Sequence, residues 1–164
     1  MKRTWILMVM AALLITCGGT DKTDQAPDSA FASTEKEKIM NQMSSYLAIF
    51  EIPAADIGRA ISFYEGILEL SIEKFEMPGM LMGVLPYEDQ LVTGVIIQGE
   101  GYEPSPKGVT IYLNAGDDLQ TILDRVEGHG GSILMPKTPH ADESGYFALL
   151  LDSEGNRIGL NSPN

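Results

Sequence analysis

The feature that most narrows what this chain can fold into is a pattern that occurs twice. Asp56-Ile57 is followed by Ala60, Ile61 and Tyr64, and Asp118-Leu119 is followed by Ile122, Leu123 and Val126. Each series sets apolar residues at i, i+3, i+4 and i+7, which is one stripe of a helix. An acidic residue stands where an N-cap belongs, Asp56 in the first and Asp117 or Asp118 in the second. Gly66 and Gly128 fall near the ends, so helices are expected near Ile57–Leu68 and Leu119–Glu127. One apolar strand segment precedes each helix: YLAIFEIP (Tyr46–Pro53) and GVTIYLNA (Gly108–Ala115). Three follow each: LSIEKFEM, GMLMGVLPY and LVTGVIIQG in the first half, GSILMPK, GYFALLLD and NRIGLNS in the second. Pro78-Gly79 and Glu154-Gly155-Asn156 punctuate them as turns. The order is β-α-β-β-β, twice. This predicts an α+β domain of two paired modules, about 46–99 and 108–162, joined through Glu100–Gly108. Each helix needs an apolar sheet face to cover its stripe, and two such sheets can face each other across a hollow.

The first 44 residues read differently. Lys2 and Arg3 make a basic start, and Trp5–Ile15 (WILMVMAALLI) is an unbroken apolar run. It is short for a membrane span and right for the apolar centre of a secretory signal. Leu14-Ile15-Thr16-Cys17, followed by Gly18-Gly19, resembles the lipobox of bacterial lipoproteins. Leu14 matches that pattern, whereas Thr16 stands where Gly, Ala or Ser is usual. The resemblance implies cleavage before Cys17 and lipid attachment to it. A plain secretory signal with an incidental cysteine, or an uncleaved anchor, are the other readings. Cys17 is the one cysteine, so no disulfide can form within the chain. Residues 18–44 are polar, with few aromatics, and read as a flexible tether. The organisation is then a signal peptide over 1–17, a linker over 18–44 and a folded domain over 45–164. The expected location is the bacterial cell envelope, lipid-anchored and facing the periplasm or the exterior.

The formal charge is −12, and loss of Lys2 and Arg3 with the leader makes it more negative still. Phosphate binding needs clustered Lys and Arg, so nucleic acid is excluded as a partner. The acidity favours solubility.

Three segments carry a family resemblance: EIPAADIGRAISFYEGILEL (Glu51–Leu70), GDDLQTILDRVEGHGGSIL (Gly116–Leu134) and GYFALLLDSEGNRIGLNSP (Gly145–Pro163). They resemble the vicinal oxygen chelate superfamily of glyoxalase I, bleomycin-resistance proteins and extradiol dioxygenases. The resemblance covers the chain from Tyr46 onward and implies the glyoxalase-like fold. Its motifs, D-x-x-R-A-x-x-F-Y and D-x-E-G-N-R-I, mark the fold and not an activity. In metal-using members each half supplies two His, Gln or Glu ligands to a divalent ion in the hollow, where it holds two neighbouring substrate oxygens or binds dioxygen. On that pattern the ligand positions fall on Ile49, Ile97, Ile111 and Gly159, with Thr110 or Tyr112 in place of Ile111 if the register slips by one. None of the first four can bind a metal. Gly159 would then widen the hollow, although a bulge or local packing explains a strand glycine equally well.

Strand alternation nominates what else lines the hollow. If Ile49 faces inward, so does Glu51; if Gly159 does, so do Arg157 and Asn161. These charged and amide groups would orient a ligand on an apolar wall, or pair with each other. Gln98, Tyr112 and Tyr146 are further candidates that depend on register. Met77, Met80 and Met82 read as core packing or as an adaptable rim. His140, in the loop His140–Glu143, reads as a solvated residue, and His129 as one that complements a helix end. No Ser-His-Asp pattern, phosphate loop or dinucleotide fingerprint is present. The expected function is a membrane-tethered, metal-independent small-molecule binding domain that uses no cofactor. The alternative is a glyoxalase-like lyase or dioxygenase-like metalloenzyme with non-standard ligands, for which a divalent metal would be the cofactor. The open sheet edges invite a homodimer.

Overall fold

The computed structural model describes residues 45–88 and 90–164. The expected signal, the expected lipidation at Cys17 and the expected tether over 18–44 lie outside the described residues. The described residues belong to one compact unit.

The elements run β1 (Ile49–Pro53), α1 (Ile57–Leu68), β2 (Glu73–Met77), β3 (Met80–Val84) and β4 (Thr93–Gly99), then β5 (Ile111–Asn114), α2 (Gln120–Val126), β6 (Ser132–Pro139), β7 (Tyr146–Leu151) and β8 (Arg157–Ser162). The strands form two four-stranded sheets, ordered β1-β4-β3-β2 and β5-β8-β7-β6. In each the first and last strands of the module pair in parallel, and the other pairs are antiparallel. These are the two β-α-β-β-β modules that the sequence predicts.

Helix α1 spans the predicted residues. Asp56, in extended conformation, caps it by accepting from Arg59 N at 3.0 Å. Its buried stripe is Ile57, Ala60, Phe63, Tyr64 and Ile67. The second helix is shorter than expected and tightens into a 3-10 turn over Glu127–His129. Two side chains hold its start: Asp118 Oδ1 accepts the amide of Gln120, the first helical residue, at 2.9 Å, and Ser162 Oγ at the end of β8 accepts the Leu119 amide at 3.0 Å; Asp118 also pairs with Lys137 at 2.8 Å. The hydrogen bond to Lys137 and that to the Gln120 amide hold the Asp118 carboxyl below its usual range.

Both helices cover the same side of their sheets. Ile52, Ile96, Leu113, Ala148, Leu150 and Leu160 meet α1 and α2 in a common core. Burying each large aliphatic side chain of this kind contributes roughly 1.5–3 kcal/mol. The helices also touch each other closely, and the ring of His129 seats against Gly66 of α1, so His129 packs on a neighbouring helix.

The repeat is visible in matching hydrogen bonds. Ala54 N donates to Ile97 O at 2.7 Å, and Ala115 N to Asn161 O at 2.9 Å. Ile57 N donates to Gln98 Oε1 at 2.8 Å, as Leu119 N does to Ser162 Oγ. Structurally, therefore, Ile97 corresponds to Asn161, Val95 to Gly159, Glu51 to Tyr112 and Ile49 to Thr110.

The D-x-E-G-N motif is the clasp between modules. It forms the β7–β8 turn, and the buried Asp152 carboxylate gathers its ends. Oδ1 accepts from Glu154 N at 2.9 Å and Asn156 N at 2.8 Å; Oδ2 accepts from Asn156 Nδ2 at 2.9 Å and from the hydroxyl of Tyr64 on α1 at 2.7 Å. Burial first, and then the Asp152 charge, push the Tyr64 hydroxyl well above its ordinary value. Asn156 reaches into the first module, donating to Pro53 O at 2.8 Å. Its Oδ1 receives Ser105 N of the connecting segment at 3.0 Å. Glu154 sits over the start of α1. It accepts from Ala55 N at 2.9 Å and Asp56 N at 3.0 Å, and meets Arg59 through both oxygens at 2.7 and 2.9 Å. Burial works to raise the Glu154 carboxyl, but Arg59 and the two amides overcome it and hold it below its ordinary value.

Candidate functional site

Each sheet turns one face to the helices and presents the other, inner face away from them. On the first sheet the inner face carries Ile49, Glu51, Val95, Ile97, Met80 and Met82, as the pairing of β1, β3 and β4 requires. The methionines are thus not core residues: Met80 and Met82 are half-buried and Met77 is exposed on this face. Ile49 is 59% exposed, whereas Ile97 is buried.

On the second sheet Arg157, Gly159 and Asn161 share the inner face, and Ile158 and Leu160 enter the core. Ile111 does not join them. It pairs with Ile158 and packs against the core, so Tyr112 stands opposite Gly159 in its place. The cause is register: the connection from β5 to its helix is one residue longer than that from β1 (Ala115 to Leu119 against Ala54 to Ile57), which sets β5 one residue earlier than even spacing suggests, and a slip of one residue moves a side chain to the other face. Gln98 is also displaced from the inner face, because its amide oxygen is used at the N-terminus of α1. Tyr146 packs beside the core with Lys137 Nζ 4.7 Å from its ring centre.

Gly159 leaves no empty space. A Cβ there would meet Tyr112 Cε1 at 2.6 Å and Cγ at 2.7 Å, so the tyrosine ring lies flat on the glycine. The strand glycine serves a cross-strand aromatic contact. The first sheet repeats the device on its other face, where the tip of the Phe50 ring lies over Gly94, with Cζ 2.6 Å from a Cβ built there.

The polar candidates do not converge. Glu51 and Arg157 line one small cavity of about 150 Å³, but form no ion pair. Glu51 Oε2 accepts the Tyr102 hydroxyl at 3.1 Å, and this bond raises the Tyr102 pKa above its ordinary value. Arg157 Nε donates to Thr110 Oγ1 at 2.8 Å and Nη2 to Gly108 O at 3.0 Å. Asn161 lies elsewhere, 2.8 Å from His140 Nε2, whose ring sits against Phe147 with centres 5.0 Å apart. The sequence reads His140 as a solvated loop residue; in the structure it is half-buried against Asn161 and Phe147. Its placement on the inner face depends on the β6–β7 hairpin, and no local pattern announces it.

A much larger cleft, of about 840 Å³, opens between the modules. One wall comes from Phe50, Leu85, Val92 and Gly94 of the first module. The other is the edge strand β5 with Thr121, Ile122 and Arg125 of the second helix.

Residues 46–160 match the family model described as the glyoxalase/bleomycin resistance protein/dioxygenase superfamily. The chain belongs to this superfamily. Solved structures agree on the fold. A glyoxalase/bleomycin resistance protein from Albidiferax ferrireducens T118 is 17% identical, with a TM-score of 0.56 over 72% of this chain and 98% of that one. TnmS3, an antibiotic binding protein from Streptomyces sp. CB03234, is 19% identical, with a TM-score of 0.53 over 74% and 98%. A V278E mutant of glyoxalase I from Zea mays is 20% identical, with a TM-score of 0.55 over 71% of this chain; the match spans only 45% of the maize chain. No curated protein matches in sequence.

The superfamily's metal can be tested against these residues. Taking Ile49 and Gly159 as the outer ligand positions, the structural repeat carries them to Thr110 and Val95. Two aliphatic side chains, a glycine and a hydroxyl already engaged by Arg157 make a donor set that does not fit a divalent ion. Among the described residues no group of three or more His, Cys, Asp or Glu could hold one.

Proposed function

We propose that the protein is a lipid-anchored small-molecule binding protein of the bacterial envelope that works without a metal. The observation carrying this reading is the flat Tyr112 ring on Gly159. At the position where metal-using relatives hold a carboxylate, this chain has no side chain, and an aromatic ring occupies the space. The superfamily fold is kept, and its modules leave concave space lined by apolar and aromatic side chains with a few amide, hydroxyl and charged groups, the usual makeup of a ligand site.

Metal content decides between this reading and a metalloenzyme. The chain from Gly18 onward, dialysed and assayed by mass spectrometry for zinc, nickel, iron and manganese, should carry far less than one equivalent, and EDTA should leave its melting temperature unchanged. A full equivalent retained through dialysis would overturn the reading. The anchoring is tested separately: Cys17→Ala should move the protein out of the membrane fraction, and unchanged membrane association would refute lipidation at that residue.

A further inference from the structure

The 840 Å³ cleft has a counterpart in the other half of the molecule, and the counterpart is closed. The β7–β8 turn of the second module is clasped onto the β1–α1 junction of the first through Glu154, Asn156 and Asp152. The repeat relates that turn to the β3–β4 connection, Leu85–Val92, and the β1–α1 junction to Asn114–Leu119. These two segments line opposite walls of the cleft, and among the described residues no hydrogen bond joins them. Where one half of the fold supplies a turn as its own filler, the other leaves room for a drug-sized molecule.

The walls state what kind of molecule. The half-buried ring of Phe50, laid over Gly94, is an aromatic surface with Leu85, Val92 and Ile122 around it. Among the described lining residues the charged ones are Glu69 and Arg125, and they pair with each other at 2.8 Å. A charged ligand would leave water without finding a free partner there, which is costly. One polar feature remains. Ala115 N bonds to Asn161 O, so the alternating backbone of parallel strands turns the amides of Tyr112 and Asn114 away from β8, toward the open edge of β5 that lines the cleft.

We infer that this cleft, and not the hollow between inner faces, is a binding site for an uncharged, ring-containing apolar molecule carrying one hydrogen-bonding group. The inference rests on the small-molecule binding reading above and assigns its site and ligand class.

The test uses two fluorescent probes built on the same rings: neutral N-phenyl-1-naphthylamine and anionic 8-anilino-1-naphthalenesulfonate. Both are titrated into the chain from Gly18 onward, which keeps the whole compact unit. The neutral probe should saturate at one per chain, and the sulfonate should bind at least about ten-fold more weakly. Thr121→Phe, an exposed position on the cleft wall, should abolish neutral-probe binding while the melting temperature stays near that of the parent. Met82→Trp, which obstructs the inner face of the first sheet, is the opposing variant. Binding lost in Met82→Trp and kept in Thr121→Phe would overturn the assignment in favour of the hollow. Equal affinity for both probes would overturn the ligand class. A dimer in light scattering that Thr121→Phe dissociates would show that a second copy covers the cleft, and would overturn the site. Metal content does not enter any of these outcomes, so failure here is distinguishable from failure of the metal-free reading.

Discussion

The two junctions between modules are built from equivalent segments and reach opposite ends. At one, a five-residue turn from Asp152 to Asn156 is fastened by a buried carboxylate, a tyrosine hydroxyl and a capped helix start. At the other, the connection after β3 contributes Leu85, Pro86, Gln90 and Val92 to the wall of a cleft, and among the described residues no hydrogen bond fastens it across. The difference lies in what reaches across. On the closed side Glu154 accepts two backbone amides of the facing module. On the open side the connection lines the cleft with Leu85, Pro86, Gln90 and Val92 while its Glu88 is exposed, and the start of α2 is already satisfied by Ser162 and Asp118. A duplicated fold can thus hold its halves together at one junction while the other stays free to receive a ligand.

The largest expected effect comes from releasing the clasp. Asp152→Ala leaves the Tyr64 hydroxyl, two backbone amides and the Asn156 amide without their acceptor. It should lower the unfolding free energy by about 3–5 kcal/mol, read from the urea midpoint. A loss under about 1 kcal/mol would mean that the turn does not hold the modules.

Next are the two aromatic-on-glycine contacts. Gly159→Ala drives a methyl into the base of the Tyr112 ring, which cannot swing aside without leaving the strand surface, and should cost about 2–3 kcal/mol. Gly94→Ala meets the tip of Phe50, which can tilt, and should cost about 1 kcal/mol. Tyr112→Ala should recover most of the Gly159→Ala loss in a double-mutant cycle. Equal costs at the two glycines would remove the distinction between the two sheets.

Glu154→Gln tests the charge in the clasp. The folded Glu154 pKa lies below its unfolded value of 4.5. The stability it contributes is therefore fully present above about pH 5 and is lost as the pH falls through the lower folded value. Parent and variant should differ by about 1 kcal/mol at neutral pH, since Arg59 is largely exposed, and converge in acid. A gap that widens toward low pH would contradict the arrangement.

The smallest effect contrasts the two helix ends. After the second helix the left-handed position is Gly130, with φ 91°; after α1 it is Glu69, with φ 55°. A residue with a Cβ pays for that conformation, whereas glycine adopts it freely. Glu69→Gly should stabilise the protein by about 0.5–1 kcal/mol, since the exposed pair with Arg125 contributes little. A destabilisation in thermal unfolding would show that the pair outweighs the backbone gain.

What the sequence determined by itself is the part of the fold encoded in short periods. The stripe at Ile57, Ala60, Ile61 and Tyr64 can be satisfied by a helix and little else, and α1 occupies the residues it predicts. Alternation in β8 likewise told which of Arg157 to Asn161 face inward, because each side chain's face follows from its neighbour's. Tertiary structure decided everything that depends on how distant segments register. Tyr112 and not Ile111 stands opposite Gly159 because a parallel pair is aligned by hydrogen bonds between strands, and a shift of one residue exchanges the faces. Gln98 caps a helix, His140 meets Asn161, and Glu51 and Arg157 take separate partners, each through contacts many residues apart in the chain. The motif around Asp152 was legible as a mark of the fold, but its work as a clasp, and the open cleft where its counterpart does not close, exist only once the two modules are packed side by side.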